Sequence, residues 1–275
     1  MFKVHLQGRM GNQLFQYAFA YVTAKKNKTT FFLEMDRNKF YLKFFKLNFP
    51  YSLFSNNFLF RVYCQIANRI KMKFVLDLSD CKKNIQLPDN FTNTLYKGYF
   101  QDASYFHPYK KDLLKLFSFK KKTKQLFEKT YGEIFRSNIT LVVCIRTGID
   151  YKNFQLPDYN YPHVYLPTDW FKNIIARIKS EYQKIIVISD EIKEAKLIFG
   201  EDNNFLFVDD APEIQFQMLM NADTCVISNS SYAWWGAYLN AKPNKKVYAP
   251  KNWAGYNIGI EYPAGIMTED FIWVQ

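Results

Sequence analysis

Apolar runs of strand length alternate with helical patterns along most of the chain, and this alternation limits the folds open to it. In residues 138–275 the first two runs are ITLVVCI and KIIVIS. Both are nearly continuous, and a helical segment follows each of them. A strand buried on both faces has such a continuous pattern, which is typical of a parallel sheet covered by helices. FKVHL, a glycine loop, a helix and TTFFLE open the chain in the same way. The sequence therefore predicts the α/β class, with two doubly wound domains.

Composition narrows the class of protein further. The chain has 275 residues, of which 48% are hydrophobic, so it can bury a large core and is not expected to be disordered. No apolar run reaches the ~20 residues of a membrane span, and residues 1–30 lack the order of regions of a signal peptide. We expect a cytoplasmic enzyme. The four cysteines have no metal-ligand spacing, so neither zinc nor disulfides are indicated.

The positive charge is concentrated in the first half of the chain. Residues 1–137 hold 25 Lys and Arg against 9 Asp and Glu, a net +16, whereas residues 138–275 carry a net −4. Lysine clusters of this kind form solvated faces, anionic lipid contacts or nucleic-acid sites. Nucleic acid is disfavoured because no recognition-helix, RNP or zinc-finger pattern is present. We expect peripheral contact with an anionic membrane, through a cluster made of Lys120, Lys121, Lys122 and Lys124.

Residues 225–240, CVISNSSYAWWGAYLN, combine a short strand, a polar turn and a helix. The turn is Asn229-Ser230-Ser231, and the helix after it carries Trp234 and Trp235. The N–H groups of a helix N-terminus, the positive end of its dipole and small hydroxyl side chains together suit a phosphate. The alternative is that Ser231 only caps the helix and the tryptophans fill a core.

A second strand-loop-helix unit lies at the start of the chain. Gly8 permits a tight turn, while Arg9, Asn12 and Gln13 stand at the mouth of the loop, where a substrate could reach them. By spacing alone, an ordinary strand-to-helix turn explains this loop equally well.

Arg146 follows the buried run that ends at Ile145. Chemistry is common just past the carboxyl end of such a strand, and the guanidinium fork can bind two diphosphate oxygens. Pairing with Asp150 is the alternative role. Ser189 and Asp190 follow the next run, and the Asp190 carboxylate can accept two N–H bonds. Helix capping explains Asp190 equally well.

Two long motifs resemble those of one enzyme family. NSSYAWWGAYLNAKPNKKVYAPKNW is similar to the C-terminal motif of the α-1,2-fucosyltransferases of glycosyltransferase family 11, and GRMGNQLFQYAFAY to their N-terminal motif. YKGYFQDASYF also matches a segment of that family. The family's H-x-R-R-G-D-Y is altered here. Cys144 replaces the His, Thr147 replaces the second Arg, and Ile149 is inserted before Asp150.

The resemblance implies a GT-B architecture, in which two Rossmann-like domains face each other across a cleft. The basic, acceptor-side domain would span residues 1–137, and the GDP-binding domain residues 138–275, with the C-terminal segment as a candidate to pack back on the first. The reaction implied is metal-free, inverting transfer of fucose from GDP-fucose. Catalysis is assigned to Arg146 and Asp150, and acceptor or cleft contacts to Gly8, Arg9, Asn12 and Gln13. Donor contacts are assigned to Arg146, Ser189, Asp190, Asn229, Ser230, Ser231 and Trp235. Ser189 and Asp190 match the family's S-D element, whose carboxylate would accept two N–H bonds from a guanine edge.

Several points stay open at the level of sequence. The general base could be Asp150, His5 or Asp158. The altered CIRTGIDY segment leaves room for another GDP-linked deoxyhexose as donor. A degenerate protein that binds a nucleotide sugar or a glycan without turnover is the non-enzymatic alternative. The acceptor is expected to be a glycan, with a lipid-linked glycan as the reason for contact with a membrane.

Overall fold

The computed structural model describes residues 1–35, 39–54, 56–78, 92–156, 163–200 and 204–275. The chain divides into two compact units. Unit 1 is Met1–Lys120 together with Pro263–Ile266, and unit 2 is Lys121–Tyr262 together with Met267–Gln275.

Unit 1 is a four-stranded parallel sheet with helices. Its strands are β1 (Phe2–His5), β2 (Phe31–Glu34), β3 (Phe74–Asp77) and β4 (Thr94–Lys97), in the order β2-β1-β4-β3. Its helices are α1 (Met10–Lys26), α2 (Asn57–Arg69) and α3 (Lys110–Leu116). The predicted β-α-β start of the chain is confirmed by β1, α1 and β2.

Unit 2 is a six-stranded sheet in which every neighbouring pair is parallel. Its strands are β5 (Thr140–Ile145), β6 (Lys184–Ser189), β7 (Phe205–Val208), β8 (Thr224–Ile227), β9 (Lys246–Pro250) and β10 (Ile272–Val274). Its helices are α4 (Lys121–Ser137), α5 (Ile149–Lys152), α6 (Thr168–Ile178), α7 (Ile192–Phe199), α8 (Pro212–Asn221) and α9 (Ser231–Tyr238). None of the helices described is long and apolar enough to cross a bilayer.

The strand order of unit 2 is β7-β6-β5-β8-β9-β10. The chain starts in the middle at β5, builds outward to β7, and returns to β8 on the other side of β5. The chain therefore leaves the carboxyl ends of β5 and β8 toward opposite edges of the sheet, the arrangement that forms a crevice in open α/β sheets. Such a topological switch point is where ligands bind in open α/β sheets. Arg146 and the Asn229-Ser230-Ser231 turn directly follow these two strands.

The core of unit 2 follows the apolar patterns of its strands and helices. All six residues of β5 are buried, as its continuous apolar run requires. Trp170, Ile174, Ile175 and Ile178 form the buried face of α6 and pack with β5 and β6 in one hydrophobic cluster. Cys144 and Cys225 are buried free thiols, and burial raises the pKa of each, so they serve as small apolar side chains.

The boundary between the units differs from the predicted one at residue 137. Helix α4 belongs to unit 2, where the amide of Gln217 on α8 donates to the carbonyl of Thr123 (3.3 Å). The C-terminal segment also stays largely in unit 2, because β10 pairs with β9 as the edge strand. Only 263–266 joins unit 1, where Gly265 accepts a backbone hydrogen bond from Ala103 (2.8 Å).

Candidate active site

Arg146 is the first residue after β5, and two carboxylates hold its guanidinium. Its Nε donates to Oδ2 of Asp190 and its Nη2 to Oδ2 of Asp150, each at 3.2 Å. The guanidinium carbon also lies 5.1 Å from the ring centre of Tyr151, within range of a cation–π contact. With 28% of the side chain exposed, Arg146 is fixed in direction and still accessible. The pairing with Asp150 that sequence offered as the alternative role is therefore present.

Asp190 organises the loop that follows β5. Its Oδ1 accepts hydrogen bonds from the backbone N–H groups of Thr147 (2.9 Å) and Gly148 (3.3 Å), while Oδ2 accepts from Arg146. The two N–H bonds predicted for a guanine edge thus come from the protein itself. Asp190 does not cap α7 either, because the N-cap residue is Glu191. Its role in this structure is to position Arg146.

Ser189 and Gly148 support the same arrangement. The Ser189 hydroxyl accepts from the backbone N–H of Glu191 (3.1 Å) and is 9% exposed, so it closes the turn after β6 and offers little surface to a ligand. A Cβ atom on Gly148 would lie 2.7 Å from Oδ2 of Asp190. Only glycine leaves room for the carboxylate at this point of the loop.

Tyr151 connects the Arg146 loop to the turn after β8. The ring lies under Arg146, and the hydroxyl donates to the amide oxygen of Asn229. Burial raises the pKa of Tyr151, so the hydroxyl stays protonated and remains a donor. The register of β5 and β8 agrees with this hydrogen bond, since Cys144 near the end of β5 pairs with Ile227 at the end of β8. The structure thus brings the CIRTGIDY and NSSYAWW segments together at the switch point.

Asn229 is a structural residue, contrary to its assignment as a donor contact. Its amide nitrogen donates to the carbonyls of Val164 (2.9 Å) and Trp253 (3.3 Å), and its oxygen accepts from Tyr151. The residue is 9% exposed. Asn229 therefore ties three segments of the site together and has little capacity left for a ligand.

The start of α9 has the geometry expected of an anion site, although Trp235 does not. Ser230 is the N-cap residue and Ser231 begins the helix; Ser230 is 5% exposed, and Ser231 is partly exposed. The first turn of a helix presents N–H groups without acceptors inside the helix. Trp235 is fully buried and packs edge-to-face on Trp234, with ring centres 5.2 Å apart. The tryptophans fill the core, so the assignment of Trp235 to the donor is wrong.

In unit 1, the predicted acceptor residues lie in the loop after β1 and in the first turn of α1. Gly8 has a φ of +72°, which favours glycine, and Arg9 is exposed at the N-cap of α1. The Asn12 amide oxygen accepts from Gln101 (2.9 Å), which follows β4. Gln13 is 1% exposed, and its amide bonds the backbone of Gly8, Lys39 and Tyr41. Gln13 therefore holds the loop and cannot reach a substrate.

The candidate bases lie apart in the chain and differ in setting. Asp150 is 53% exposed in its side chain, with Oδ2 on Arg146 and Oδ1 accepting from the backbone N–H of Tyr151 (3.0 Å). His5 ends β1, and its Nδ1 lies 3.2 Å from Oε2 of Glu34. Asp158 lies outside the described residues.

Sequence reasoning missed Tyr151 and Ser228. Tyr151 stood in the altered motif, but its bond to Asn229 depends on a residue 78 positions away. Ser228 is the residue directly after β8; it is fully buried, and among the described residues its Oγ has no hydrogen-bond partner. A serine that ends an apolar strand before a polar turn was the available signal.

Comparison with known proteins gives two curated relatives of similar length. The chain is 28% identical, over 92% of its length and 95% of the relative's, to the O-antigen biosynthesis glycosyltransferase WbnK of Escherichia coli. It is 24% identical, over 90% of each chain, to an α-1,2-colitosyltransferase of Escherichia coli.

Solved structures share the fold. The protein fucosyltransferase POFUT1 in complex with GDP has a TM-score of 0.56 at 12% identity, over 90% of this chain and 97% of that one. The α-1,6-fucosyltransferase NodZ soaked with GDP-fucose has a TM-score of 0.52 at 11% identity, over 86% and 92%. These matches and the parallel sheets confirm the predicted α/β, GT-B-type fold. The model of the family described as glycosyl transferase family 11 matches residues 1–258, and the chain therefore belongs to this family of glycosyltransferases.

Proposed function

We propose that this glycosyltransferase moves L-fucose from GDP-fucose to a sugar hydroxyl, with inversion at the anomeric carbon. The observation that carries the proposal is Arg146, held by Asp190 and Asp150 at the switch point of unit 2, next to the start of α9. A guanidinium and a helix N-terminus at one crevice suit the diphosphate of a nucleotide sugar. Two fold neighbours carry GDP or GDP-fucose in their crystals, which supports a GDP-linked donor.

In the proposed reaction the acceptor hydroxyl attacks the anomeric carbon, a new C–O bond forms, and the bond to the diphosphate breaks. GDP leaves with the electron pair, and the hydroxyl proton passes to a base. Arg146 and the first turn of α9 stabilise the negative charge that develops on the leaving diphosphate. We propose that this electrostatic stabilisation needs no metal ion.

Asp150 is our candidate for the base, and it becomes available when the donor binds. Both of its oxygens already accept hydrogen bonds, from Arg146 and from the backbone of Tyr151. Diphosphate would compete with Asp150 for Nη2 of Arg146, and an incoming donor would then release one carboxylate oxygen. This exchange couples donor binding to exposure of the base.

The acceptor in this proposal is a glycan with a galactose-like 2-hydroxyl, assembled on a lipid at the cytoplasmic face of the membrane during synthesis of a bacterial surface polysaccharide. The name of one relative places that protein in O-antigen biosynthesis, and the name of the other specifies an α-1,2 linkage. We assign acceptor contacts to unit 1, through exposed Arg9 and neighbouring Asn12.

A second candidate keeps the site and changes the sugar. The α-1,2-colitosyltransferase among the relatives carries the name of another deoxyhexose, colitose, which is fucose without its 3-hydroxyl group. The altered CIRTGIDY segment gives a reason to test it. A protein that binds GDP-sugars without turnover is the alternative of another class.

One screen separates the three. The purified protein is incubated with GDP-fucose, GDP-colitose and GDP-mannose, with and without a galactose-terminated oligosaccharide, and products are followed by mass spectrometry. Consumption of GDP-fucose with a deoxyhexose added to the acceptor supports the first function. Preference for GDP-colitose supports the second, and binding in calorimetry without turnover of any donor supports the third.

A further inference from the structure

The surface of helix α2 in unit 1 carries exposed apolar side chains. Phe58, Val62 and Ile66 are spaced four residues apart and so lie on one side of the helix. They are 71%, 37% and 54% exposed, and Leu59 beside them is 39% exposed. Just before the helix, Phe49 and Leu53 are 77% and 41% exposed. We call these six side chains the α2 apolar surface.

Helix α2 is fixed firmly, so this exposure is a stable property of the fold. Its opposite face buries Phe60, Tyr63, Cys64 and Ala67. The Tyr63 hydroxyl accepts from the backbone N–H of Leu33 on β2 (2.7 Å) and donates to its carbonyl (3.1 Å). Asn56 caps the N-terminus by accepting from Phe58 and Leu59 (3.0 and 3.3 Å). A helix held on one face and capped cannot turn its outer apolar side chains inward.

The charged residues in the stretch of sequence that contains α2 are all positive. Residues 37–76 contain eight Lys and Arg and no Asp or Glu. Arg61 and Arg69 are exposed on α2 itself, and Lys71 and Lys73 are exposed in the segment that follows. Among the described residues, 18 large apolar side chains are exposed, and nine of them fall within these forty positions. Exposed apolar groups and cations therefore occur in the same stretch.

We infer that the α2 apolar surface is a docking site for an anionic phospholipid bilayer. A helix that lies in the interface places its apolar side chains among the acyl chains near the headgroups, while flanking Arg and Lys contact anionic lipids. Each cation near such a surface strengthens the attraction to anionic lipid. A protein partner would need acidic groups opposite the same four cations, so an acidic protein and a second copy of the chain are the outcomes that the test must separate.

The site is a different one from the lysine cluster predicted from sequence. Lys120 is used inside unit 1, where its ammonium donates to the carbonyl of Ser52 (3.1 Å) and burial lowers its pKa. Lys121, Lys122 and Lys124 belong to unit 2. The α2 inference does not depend on the donor or on Arg146.

The test is sedimentation with vesicles of phosphatidylcholine alone or mixed with phosphatidylglycerol. The triple variant Phe58→Gln, Val62→Gln, Ile66→Gln keeps good helix formers and removes the apolar stripe. Its matched control is Leu126→Gln with Leu197→Gln, two apolar helix residues of unit 2 that are 56% and 85% exposed. We expect the parent and the control to bind anionic vesicles, and the triple variant to need at least tenfold more lipid for half-binding.

A second variant, Arg61→Gln with Arg69→Gln, tests the charge without touching the apolar groups. This variant should lose binding to anionic vesicles. Binding of the parent should fall as salt rises from 0.1 to 1 M, because the electrostatic screening length becomes shorter. Unchanged melting and unchanged turnover of a soluble acceptor would show that each variant is folded. The inference is overturned if the triple variant binds like the parent, if the control loses as much, or if the parent binds neither vesicle. Size-exclusion showing a parent dimer that the triple variant converts to monomer would also overturn it.

Discussion

Arg146 is the residue on which the proposed chemistry depends most. A lysine at this position has one ammonium, which lacks the planar fork that holds Asp190 through Nε and presents further N–H groups to two diphosphate oxygens. We predict that Arg146→Lys lowers kcat about 100-fold or more, the scale seen when a charge-stabilising donor is removed. The melting temperature should change little, since exposed ion pairs contribute at most about 1 kcal/mol.

The matched control for this change is Arg177→Lys, on the exposed side of α6, where Nε donates to the carbonyl of Asn173 (3.0 Å). Steady-state kinetics of both variants would be compared with those of the parent. A rate for Arg146→Lys within a few-fold of the control would show that Arg146 is structural or peripheral.

Asn229 should matter for stability more directly than for binding. Replacement by Ala removes three buried hydrogen bonds, those to the carbonyls of Val164 and Trp253 and the one from the hydroxyl of Tyr151. We predict a loss of about 1–3 kcal/mol in the free energy of unfolding, measured in urea. Tyr151→Phe, which removes one of these bonds, should cost less. Full stability of Asn229→Ala with weaker donor binding would instead restore Asn229 as a ligand contact.

At the scale of an element, a lysine that follows helix α9 caps the C-terminus of the helix. The Lys245 ammonium donates to the carbonyls of Ala237 (2.8 Å), Tyr238 (3.2 Å) and Asn240 (2.5 Å). Carbonyls at a helix C-terminus lack partners inside the helix, and a cation there also opposes the negative end of the dipole.

We predict that Lys245→Met destabilises the protein by about 1–2 kcal/mol, since bonds to a charged donor are worth more than neutral ones. The adjacent Lys246→Met is the control, because Lys246 only forms an exposed pair with Glu181 at 3.5 Å. Urea unfolding should separate the two variants, and equal midpoints would refute the capping role.

The side chain of Asp223, directly before β8, binds the start of β5, and its ionisation affects the stability of the protein. Asp223 accepts from the backbone N–H and hydroxyl of Thr140 (2.8 and 3.0 Å) and from Lys242 (2.8 Å). Burial acts against the charge, but these hydrogen bonds outweigh it and lower the pKa of Asp223. Its contribution to stability is therefore complete above the unfolded pKa of about 4 and is lost as pH falls through the lower folded value.

We predict that Asp223→Asn lowers stability at pH 7 and flattens its decline below about pH 4. Unfolding would be followed in urea between pH 3 and pH 7, beside the parent. An identical acid profile in the two proteins would show that Asp223 carries no such linkage.

For the whole molecule, the two units carry different charge. Unit 1 has 20 Lys and Arg against 7 Asp and Glu, a net +13, and unit 2 has 17 against 18, a net −1. The contrast predicted between halves remains, although α4 moves with its own cations into unit 2. A near-neutral unit with one fixed guanidinium suits our proposal of a local diphosphate contact, while the cationic unit suits a lipid surface.

The proposed reaction as a whole relies on protein groups for charge stabilisation. We therefore predict that EDTA leaves turnover of the GDP-sugar unchanged. Loss of turnover in EDTA that magnesium or manganese restores would show that a metal ion takes part.

The kinds of element were predictable because their patterns are local. The apolar run before Arg146 and the 3.6-residue spacing in α6 specify a strand and a helix wherever they pack, and β5 and α6 formed there. The family was likewise readable from two continuous motifs. Residues 36–95 lack clean periodicity and are predicted only loosely as helices and loops, so the bounds of α2 and the strands β3 and β4, which begin there, were not predicted.

Only the tertiary structure decided what the polar residues do. Asp190 meets Thr147 from 43 positions away, and Tyr151 meets Asn229 from 78. A side chain predicted to face a ligand instead forms hydrogen bonds with another part of the protein, which the order of the strands brings beside it. Sequence determined the fold class and the motifs around the switch point, because both reside in short stretches. The strand order, the burial of Trp235 and the exposure of α2 depend on long-range packing, which no short stretch contains.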